Sequence, residues 1–400
     1  MRLQTRRNYG KMDSWDMNIK IVRTFHPVGQ GAFYSERFQI WKPEVETHNI
    51  VYDCGVCYMK EKQAVHVVNQ AFAGKDEIDY LFISHLDYDH VSLAYAILPR
   101  VKNIVLPLVS KEELVIAMLF YVVSEERDAA RFFNEIIRRL EDNNRRNTVI
   151  FVGDIEENLN DWENANVIKS GTDIVPQWDY DWVLIPHNVK YSSRKQKLMD
   201  ELDKLIHEKE FVKEIVGLGL KPFKTAEELL SKLNESDFAG KVLVMPNLRK
   251  AIKSAYASIE GGTNENSLLL YSGPKSGVTR YMLEFCMPNR RWCDCRISQA
   301  ACLYTGDSTC DMADWKKKYV AVWEHIGTIQ LPHHGSVESF EVDTYPVDRQ
   351  YIFPVSFGTY NTYGHPSGKV LAYLMMCDCC IQMVTEMANS RYMQSIGKWR

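Results

Sequence analysis

The sequence predicts an α/β protein whose strands end in histidine and aspartate. The chain has 400 residues, of which 46% are hydrophobic and 25% charged, so it can bury a large core. Short apolar strand-like segments near both ends of the chain are followed directly by His or Asp residues, and helical periodicity dominates the middle. Because α/β proteins place their sites at the carboxyl ends of strands, these observations predict one functional site built from both parts of the chain.

Strand-like alternation marks the first hundred residues. Apolar residues alternate with polar ones, as in a half-buried strand, at Ile19, Ile21, Phe25, Phe33, Phe38 and Ile40. The segment 27–31 between the two runs has the Pro and Gly content of a turn. Two shorter strands follow, over 50–52 and 80–83, and they end at Asp53 and His85. These strands predict residues 18–108 as the first half of an α/β domain.

Helical periodicity takes over in the middle of the chain. The predicted helices cover 112–124, 127–141, 193–209 and 225–233, with capping boxes at Ser110/Glu113 and Thr225/Glu228. Strand-like pieces interrupt them at 148–152, 182–185 and 242–244. The sequence therefore predicts residues 109–260 as a mainly helical insertion, parts of which rejoin the sheet.

Strand-like segments return after about residue 265. They cover 267–271, 301–304, 328–331 and 351–356, and a helix over 369–376 and a strand over 381–385 follow. Three of the strands lead to Asp307, to His333 and His334, and to His365. Residues 261–400 are predicted as the second half of the domain.

The strongest chemical signal is the segment His85-x-Asp87-x-Asp89-His90. It places four metal-ligand types within six residues directly after an apolar strand. His and carboxylate ligands suit zinc, manganese or iron, and added carboxylates favour harder ions such as manganese or magnesium. The alternative is a solvated acidic loop with capping aspartates. The other strand ends that carry His or Asp favour the metal site.

This pattern resembles the metallo-β-lactamase superfamily, whose hallmark is His-x-His-x-Asp-His after a strand, then a distant Gly-Asp turn and further histidines. Asp87 stands where that superfamily usually has its second histidine. In this respect the chain is similar to the hydrolase domain of ComEC-type competence DNA-uptake proteins, as are the later segments 305–307, 331–336 and 363–366, in the same order. The resemblance covers about residues 19–107 and 262–390, and it implies an αββα sandwich.

The resemblance also implies a ligand set for two divalent metal ions, zinc or manganese. Asp307 would bridge the ions, His85 and Asp87 would bind the first, and Asp89 and His90 would bind the second. His334 and His365 would complete the coordination, with His333 as the alternative to His334.

Two further residues are considered in this scheme, Asp53 as a support for the metal loop and His187 as a further ligand. Asp53 would orient the metal loop from behind. No separate third histidine for the first ion is evident; His187 is the candidate, and the alternative is an ordinary loop histidine.

The expected chemistry is hydrolysis by activated water. Two cations about 3.5–4 Å apart lower the pKa of a shared water and neutralise charge on the attacked group. Asp87 or Asp89 would position the water or shuttle protons, and His333 would protonate the leaving oxygen. Gly335 and Ser336 would either open a helix whose amides hold a phosphate oxygen or simply turn the chain.

The expected function is that of a metal-dependent phosphodiesterase or nuclease acting on DNA or a nucleotide. A bacterial accessory or defence role, with a protein partner encoded elsewhere, fits this reading. Two alternatives stay open. One is hydrolysis of a small ester, thioester, lactone or phosphoester, and the other is a non-catalytic metal-binding interaction module.

Composition constrains the partners and the location. A net charge of -4 gives no global reason to bind a polyanion. Local basic runs could line a nucleic-acid path or be solvated helix faces; they lie at 190–197, 138–139 with 145–146, 290–291 and 316–318. The N-terminus has no apolar signal-peptide core, and the longest apolar run, 114–123, is too short for a bilayer, so we expect a cytoplasmic protein with no membrane contact.

The ten cysteines are scattered along the chain. In a reducing compartment they are expected to be buried thiols. The alternative is a structural zinc site, and among the local pairs only Cys54-x-x-Cys57 has suitable spacing.

Overall fold

Two β-sheets face each other, with helices on their outer faces. The computed structural model describes residues 19–41, 44–72, 76–142, 148–153, 166–176, 181–188, 194–233, 245–260, 267–286, 293–309, 311–340 and 348–398. Within these residues the architecture is the αββα sandwich that the sequence predicted.

The first sheet has ten described strands in the order β11-β10-β16-β1-β2-β3-β4-β5-β6-β7. Neighbours from β11 to β3 pair antiparallel, and those from β3 to β7 pair parallel. The strands are β1 (Ile19–Phe25), β2 (Phe33–Trp41), β3 (Val45–Cys54), β4 (Ile78–Phe82), β5 (Val101–Pro107), β6 (Val149–Val152), β7 (Asn166–Ile168), β10 (Tyr281–Cys286), β11 (Cys293–Ile297) and β16 (Tyr392–Lys398).

The second sheet has six described strands in the order β15-β14-β13-β12-β9-β8. The four strands from β15 to β12 run parallel, whereas β9 is antiparallel to both β12 and β8. The strands are β8 (Val183–Asn188), β9 (Leu268–Gly273), β12 (Ala301–Tyr304), β13 (Ile326–Ile329), β14 (Ile352–Ser356) and β15 (Cys380–Val384).

The described helices fall into two groups. Nine lie between β3 and β9 in the chain: α1 (Glu61–Ala71), α2 (Tyr88–Val91), α3 (Ala94–Ile97), α4 (Lys111–Val123), α5 (Arg127–Glu141), α6 (Arg194–Ile206), α7 (Lys209–Gly217), α8 (Ala226–Leu233) and α9 (Pro246–Glu260). Two follow β12: α10 (Met312–Lys318) and α11 (Gly368–Met376).

Alternation along the strands divides the core into three layers. In β3, Ile50 and Tyr52 face the second sheet, while Val51 faces the layer that contains α1 and α4. In β9, Leu268 and Leu270 face the first sheet, while Leu269 packs in the layer that contains α10 and α11. The central layer lies between the sheets, and the two outer layers lie under the helices.

Most of the predicted elements are confirmed, with boundary shifts of a few residues. Helix α4 begins behind Ser110, whose side chain and that of Glu113 form the predicted capping box. The helix expected over 193–209 is present as α6, which ends at Ile206, and a separate helix, α7, begins at Lys209. A strand that the sequence did not predict, β16, follows the expected last strand and fills the space between β1 and β10.

The middle of the chain contributes strands to both sheets. The predicted strand over 148–152 is present as β6, and the one over 182–185 as β8. The third, over 242–244, lies outside the described residues. The division of the chain at 108/109 and 260/261 stays a prediction, since β6 and β7 extend the first sheet and β8 the second.

Among the described helices, none is both long and apolar enough to cross a bilayer.

Candidate metal centre

The predicted metal loop follows β4 and enters α2. Residues 84–87 form the loop, and Asp89 and His90 lie on the short helix α2. Ala32 donates its backbone N–H to the Asp89 carbonyl oxygen. The backbone of Gly55 lies so close that a Cβ there would be 2.3 Å from that same oxygen, so this glycine is required for close approach.

Asp53 holds this loop from behind. It lies near the end of β3 with φ of 54°, and it is fully buried. Its carboxylate accepts hydrogen bonds from the Ser84 backbone N–H and the Ser84 hydroxyl, both at 2.7 Å, and from His90 Nδ1 at 2.8 Å. The structure thus brings Asp53 into contact with the elements that it was predicted to orient.

These contacts decide which nitrogens of His85 and His90 can bind a cation. Ser84 donates its hydroxyl proton to Asp53, so the Ser84 oxygen accepts from His85 Nδ1 at 2.9 Å. His90 Nδ1 donates to Asp53 in the same way. Both rings therefore carry their proton on Nδ1, and both Nε2 atoms face the Asp307 carboxylate.

Asp307 comes to the same place from the second sheet. The side-chain oxygen of Gln330 accepts from the backbone N–H groups of Thr305 (2.9 Å) and Gly306 (3.0 Å), and this shapes the turn after β12. Gly306 has φ of 55°, and a Cβ there would meet the Ser84 Cβ at 2.6 Å. Asp307 donates its own backbone N–H to the Ser267 hydroxyl.

The first candidate ligand group consists of His85, His90 and Asp307, all buried. Their ligand atoms lie within 4.8 Å of one another, and His90 Nε2 is 3.3 Å from Asp307 Oδ1. His85 Nε2, His90 Nε2 and Asp307 Oδ1 are all buried without a hydrogen-bond partner. Since an unsatisfied buried polar atom costs about 1–3 kcal/mol, three converging ones fit a divalent cation.

The second group consists of Asp89, His90 and His334. His334 Nδ1 lies 2.8 Å from the Ser356 carbonyl, which can only accept, so Nδ1 carries the proton. The His334 Nε2 lone pair then faces the Asp89 carboxylate at 3.1 Å. Two acceptors at that distance need a cation or a second proton between them, so this group also fits a metal ion.

The carboxylates and imidazoles of the cluster shift one another's pKa values in a direction that favours positive charge among them. Burial raises the pKa of Asp307, but the neighbouring His90 outweighs it and holds that pKa well below its usual range. Asp89 behaves in the same way: burial opposes ionisation, yet His90 and His334 lower its pKa to about 2. Conversely, burial lowers the pKa of His90, and the carboxylates of Asp307, Asp53 and Asp89 raise it well above its ordinary value. Without a cation, protons on the histidines take its place.

The remaining predicted residues lie around these groups. Asp87 Oδ2 is 3.4 Å from His85 Nε2, and His333 Nε2 is 3.8 Å from Asp307 Oδ2. His365 lies farther out, with its ring centroid 5.4 Å from that of His333. Burial lowers the pKa of His365, and the neighbouring His333 and His334 lower it further. All three side chains line a cleft of about 320 Å³.

The ligand pairing differs in detail from the predicted one. The resemblance paired His85 with Asp87, whereas the first group joins His85 to His90 and Asp307. Of the two neighbouring histidines, His334 is the one within a ligand group. His187 is in neither group; its ring packs edge-on against Tyr319 at 4.9 Å.

Two minor predictions can also be compared with the structure. No helix begins at Gly335 and Ser336, where a tight turn over Pro332–Gly335 is followed by extended backbone, so a helix-terminal phosphate site there was wrong. Cys54 and Cys57 are free thiols, and neither is part of a described ligand group.

The basic side chains described in these runs make structural or surface contacts. Arg139 is buried and donates to two backbone carbonyls, and Lys316 and Lys318 pair with acidic residues. These contacts fit structural or surface roles. The pairs at 145–146 and 290–291, and residues 190–193, lie outside the described residues.

Sequence reasoning missed several residues that shape the site. Ser84 has a signal, because it lies between β4 and His85, whereas Ser267, just before β9, has none. Tyr121 and Tyr256 have none: they come from α4 and α9, and both donate their hydroxyls to the Leu86 carbonyl, at 2.7 and 3.2 Å. Only the folded structure brings these helices to the metal loop.

The fold and the site together define a class of protein, an αββα sandwich with a His/Asp cleft suited to divalent cations. Residues 44–144 match the family model described as the metallo-beta-lactamase superfamily, and this stretch contains the whole metal loop. The observed two-sheet architecture is consistent with that fold. Members of this superfamily are mostly metal-dependent hydrolases, and they usually bind two divalent metals.

The chain was also compared with curated proteins and with solved structures. No curated protein matches the chain. Among solved structures, the chain is similar to the rubredoxin oxygen:oxidoreductase of the anaerobe Desulfovibrio gigas, with 9% identity over 93% of each chain and a TM-score of 0.20. A TM-score this low supports no conclusion about fold or function.

Proposed function

We propose that this protein is a metal-dependent hydrolase that uses two divalent ions, zinc or manganese, to cleave phosphodiester bonds in DNA or a nucleotide. One observation carries the proposal. Buried imidazole and carboxylate groups from both sheets converge within 4.8 Å in two groups, and several of their atoms have no hydrogen-bond partner. A core that leaves such atoms unsatisfied is suited to holding cations.

In a site of this kind, divalent cations supply a water of lowered pKa and neutralise charge on the attacked phosphate. His85, His90, Asp307, Asp89 and His334 are the residues that would hold them. Asp53 and Ser84 fix the two rings of the metal loop with Nε2 towards the cleft.

Two cleft residues remain for moving protons. Asp87 lines the cleft beside His85, where its carboxylate positions the attacking water and takes up a proton. His333 presents Nε2 to the cleft while the Ser339 hydroxyl, 2.7 Å from Nδ1, fixes the ring. We assign His333 the donation of a proton to the leaving oxygen.

The choice of substrate rests on the motif resemblance and on ligand chemistry. Asp87 in place of a histidine makes the motif similar to that of ComEC-type hydrolase domains, and the three carboxylates at the cleft favour harder cations than an all-imidazole site would. By the same resemblance we propose a bacterial accessory or defence role, with a protein partner encoded elsewhere.

The test is cleavage of labelled single- and double-stranded DNA by the full chain, reconstituted with zinc or manganese. We expect cleavage by the wild type, and both metal uptake and cleavage to be lost in His90→Ala and Asp307→Ala. His66→Ala, which changes an exposed histidine on α1, serves as the matched control and should behave as wild type.

Three outcomes would contradict parts of the proposal. Cleavage that persists in both variants would show that the site is assigned wrongly. Turnover of a small ester without DNA cleavage under any metal would replace the substrate class. Metal content that stays near zero after reconstitution would overturn the metal site itself, and the metal-dependent hydrolase with it.

A further inference from the structure

Four rings form a row from the rim of the cleft to the ligand cluster. They are Tyr58, Tyr363, His365 and His333, and their successive centroid distances are 6.4, 6.0 and 5.4 Å. The Tyr363 and His365 rings are nearly parallel, with 13° between their planes. His333, at the inner end of this row, has a role in the proposed function, but the two tyrosines do not.

The two tyrosines come from different sheets and meet at the rim. Tyr58 follows β3, and Tyr363 lies in the loop after β14; their hydroxyls are 2.8 Å apart. Both side chains are exposed, by 69% and 57%. Tyr58 has φ of 65°, a conformation that costs free energy in a bulky residue and is found most often at functional sites.

The loop over 357–367 holds Tyr363 in place. Asn361 donates its side-chain N–H groups to the carbonyls of Gly358 and His365, and its side-chain oxygen accepts from the Tyr363 backbone N–H at 3.2 Å. The Tyr363 ring is therefore positioned before any ligand arrives, so little conformational entropy is lost on stacking.

The charge of the cleft decides what kind of contact this row can make. The described residues that line the cleft include Asp87, Asp89 and Asp307 but no lysine or arginine. A phosphate next to the one at the metal ions therefore finds no cationic side chain to pair with among these lining residues. Affinity for the neighbouring nucleotide must then come from uncharged contacts, and an exposed ring can provide them through stacking.

We propose that Tyr363, oriented by the Tyr58 hydroxyl, is a stacking site for an unpaired nucleobase beside the scissile phosphate. This inference rests on the proposed function and names its substrate class as single-stranded nucleic acid. Stacking on an aromatic side chain tolerates any base, because every base has a π face. A base that is paired and stacked within a duplex does not expose its face to Tyr363.

The experiment compares single-stranded oligonucleotides, DNA and RNA, that carry an abasic residue at successive positions. With wild type, one abasic position should raise KM about 5- to 100-fold, the range expected for one base–aromatic stack. Tyr363→Ala should raise KM for the intact strand by a similar factor and should no longer distinguish intact from abasic strands.

Two controls isolate the ring itself. Tyr363→Phe keeps the ring and should restore KM to within about 3-fold of wild type. Tyr360→Ala removes an 86% exposed tyrosine from the same loop that does not line the cleft, and its KM should be unchanged. The DNA and RNA strands show which sugar the site accepts.

The outcomes separate this inference from the proposed function. Equal KM values for intact and abasic strands in wild type, or an intact-strand KM unaltered in Tyr363→Ala, would overturn the stacking site while cleavage itself persists. Preference for duplex over single strand would also overturn it. Failure of the proposed function would instead appear as no metal-dependent cleavage of any strand, including the abasic ones.

Discussion

At the scale of single residues, Gly55 determines whether the metal loop can keep its position. A Cβ at this position would lie 2.3 Å from the Asp89 carbonyl oxygen and 2.5 Å from the His90 backbone nitrogen. Both contacts are to backbone, which cannot move aside as a flexible side chain can. We therefore expect Gly55→Ala to shift the loop that carries Asp89 and His90, and to weaken metal affinity at least 10-fold.

Isothermal titration with zinc or manganese checks this expectation, with thermal unfolding of the metal-free protein measured alongside. Gly217→Ala is the matched control, because a Cβ at Gly217 meets nothing within 4 Å. It should leave metal affinity unchanged. Wild-type affinity in Gly55→Ala would mean that the loop adjusts without cost and that close packing here is not required.

The sequence predicted the identity of the site residues better than their pairing. Spacing and the family resemblance together pointed to His85, Asp89, His90 and Asp307, and the structure brings these side chains into the two candidate groups. The sequence could not choose between His333 and His334. That choice depends on the direction of each ring, which is set by two successive left-handed backbone conformations and by the Ser356 carbonyl.

At the scale of elements, helices α4 and α9 brace the metal loop. Tyr121 and Tyr256 are buried, their hydroxyls lie 3.2 Å apart, and both donate to the carbonyl of Leu86, which lies between two predicted ligands. In Tyr121→Phe/Tyr256→Phe this carbonyl loses both donors. We expect the double variant to lose about 1–3 kcal/mol of stability and to bind metal several-fold more weakly.

Metal titration and urea unfolding of the same samples test this brace. Tyr319→Phe removes a buried hydroxyl that donates to the Ile185 carbonyl in the outer layer of the second sheet. That control should lose stability without losing metal affinity. If both variants lose stability and neither loses metal affinity, the helices only support the fold and do not position the loop.

Helices with strong local signals were predicted, whereas a strand with a polar residue at its centre was not. Helices α4 and α5 have strong signals, a capping box in one and a continuous buried face in the other. Strand β16 was missed. Of its alternate inward residues Tyr392, Gln394 and Ile396, the central one is a buried polar residue, so the apolar alternation is interrupted.

At the scale of the whole molecule, a hydrogen-bond network around a buried ion pair of the first sheet links that sheet to the second. Arg23 on β1 and Glu36 on β2 are 2.6 Å apart, with 0% and 2% of their side chains exposed. Arg23 also donates to Gln394 on β16, and Glu36 accepts from Ser272 and Tyr304 on the second sheet. This explains the polar position in β16: Gln394 completes a network whose partners no local pattern reveals.

This network gives a prediction for the stability of the whole fold. Arg23→Met leaves Glu36 as an uncompensated buried charge, and we expect a loss of about 3–5 kcal/mol in the free energy of unfolding. In Arg23→Met/Glu36→Gln the charge is absent, so part of that loss should be recovered.

Arg37→Met is the matched control on β2, because Arg37 pairs with Asp76 near the surface, and its loss in the free energy of unfolding should be at most about 1 kcal/mol. Urea unfolding of the metal-free proteins measures all three, and equal losses for Arg23→Met and Arg37→Met would show that the buried pair does not hold the sheets together.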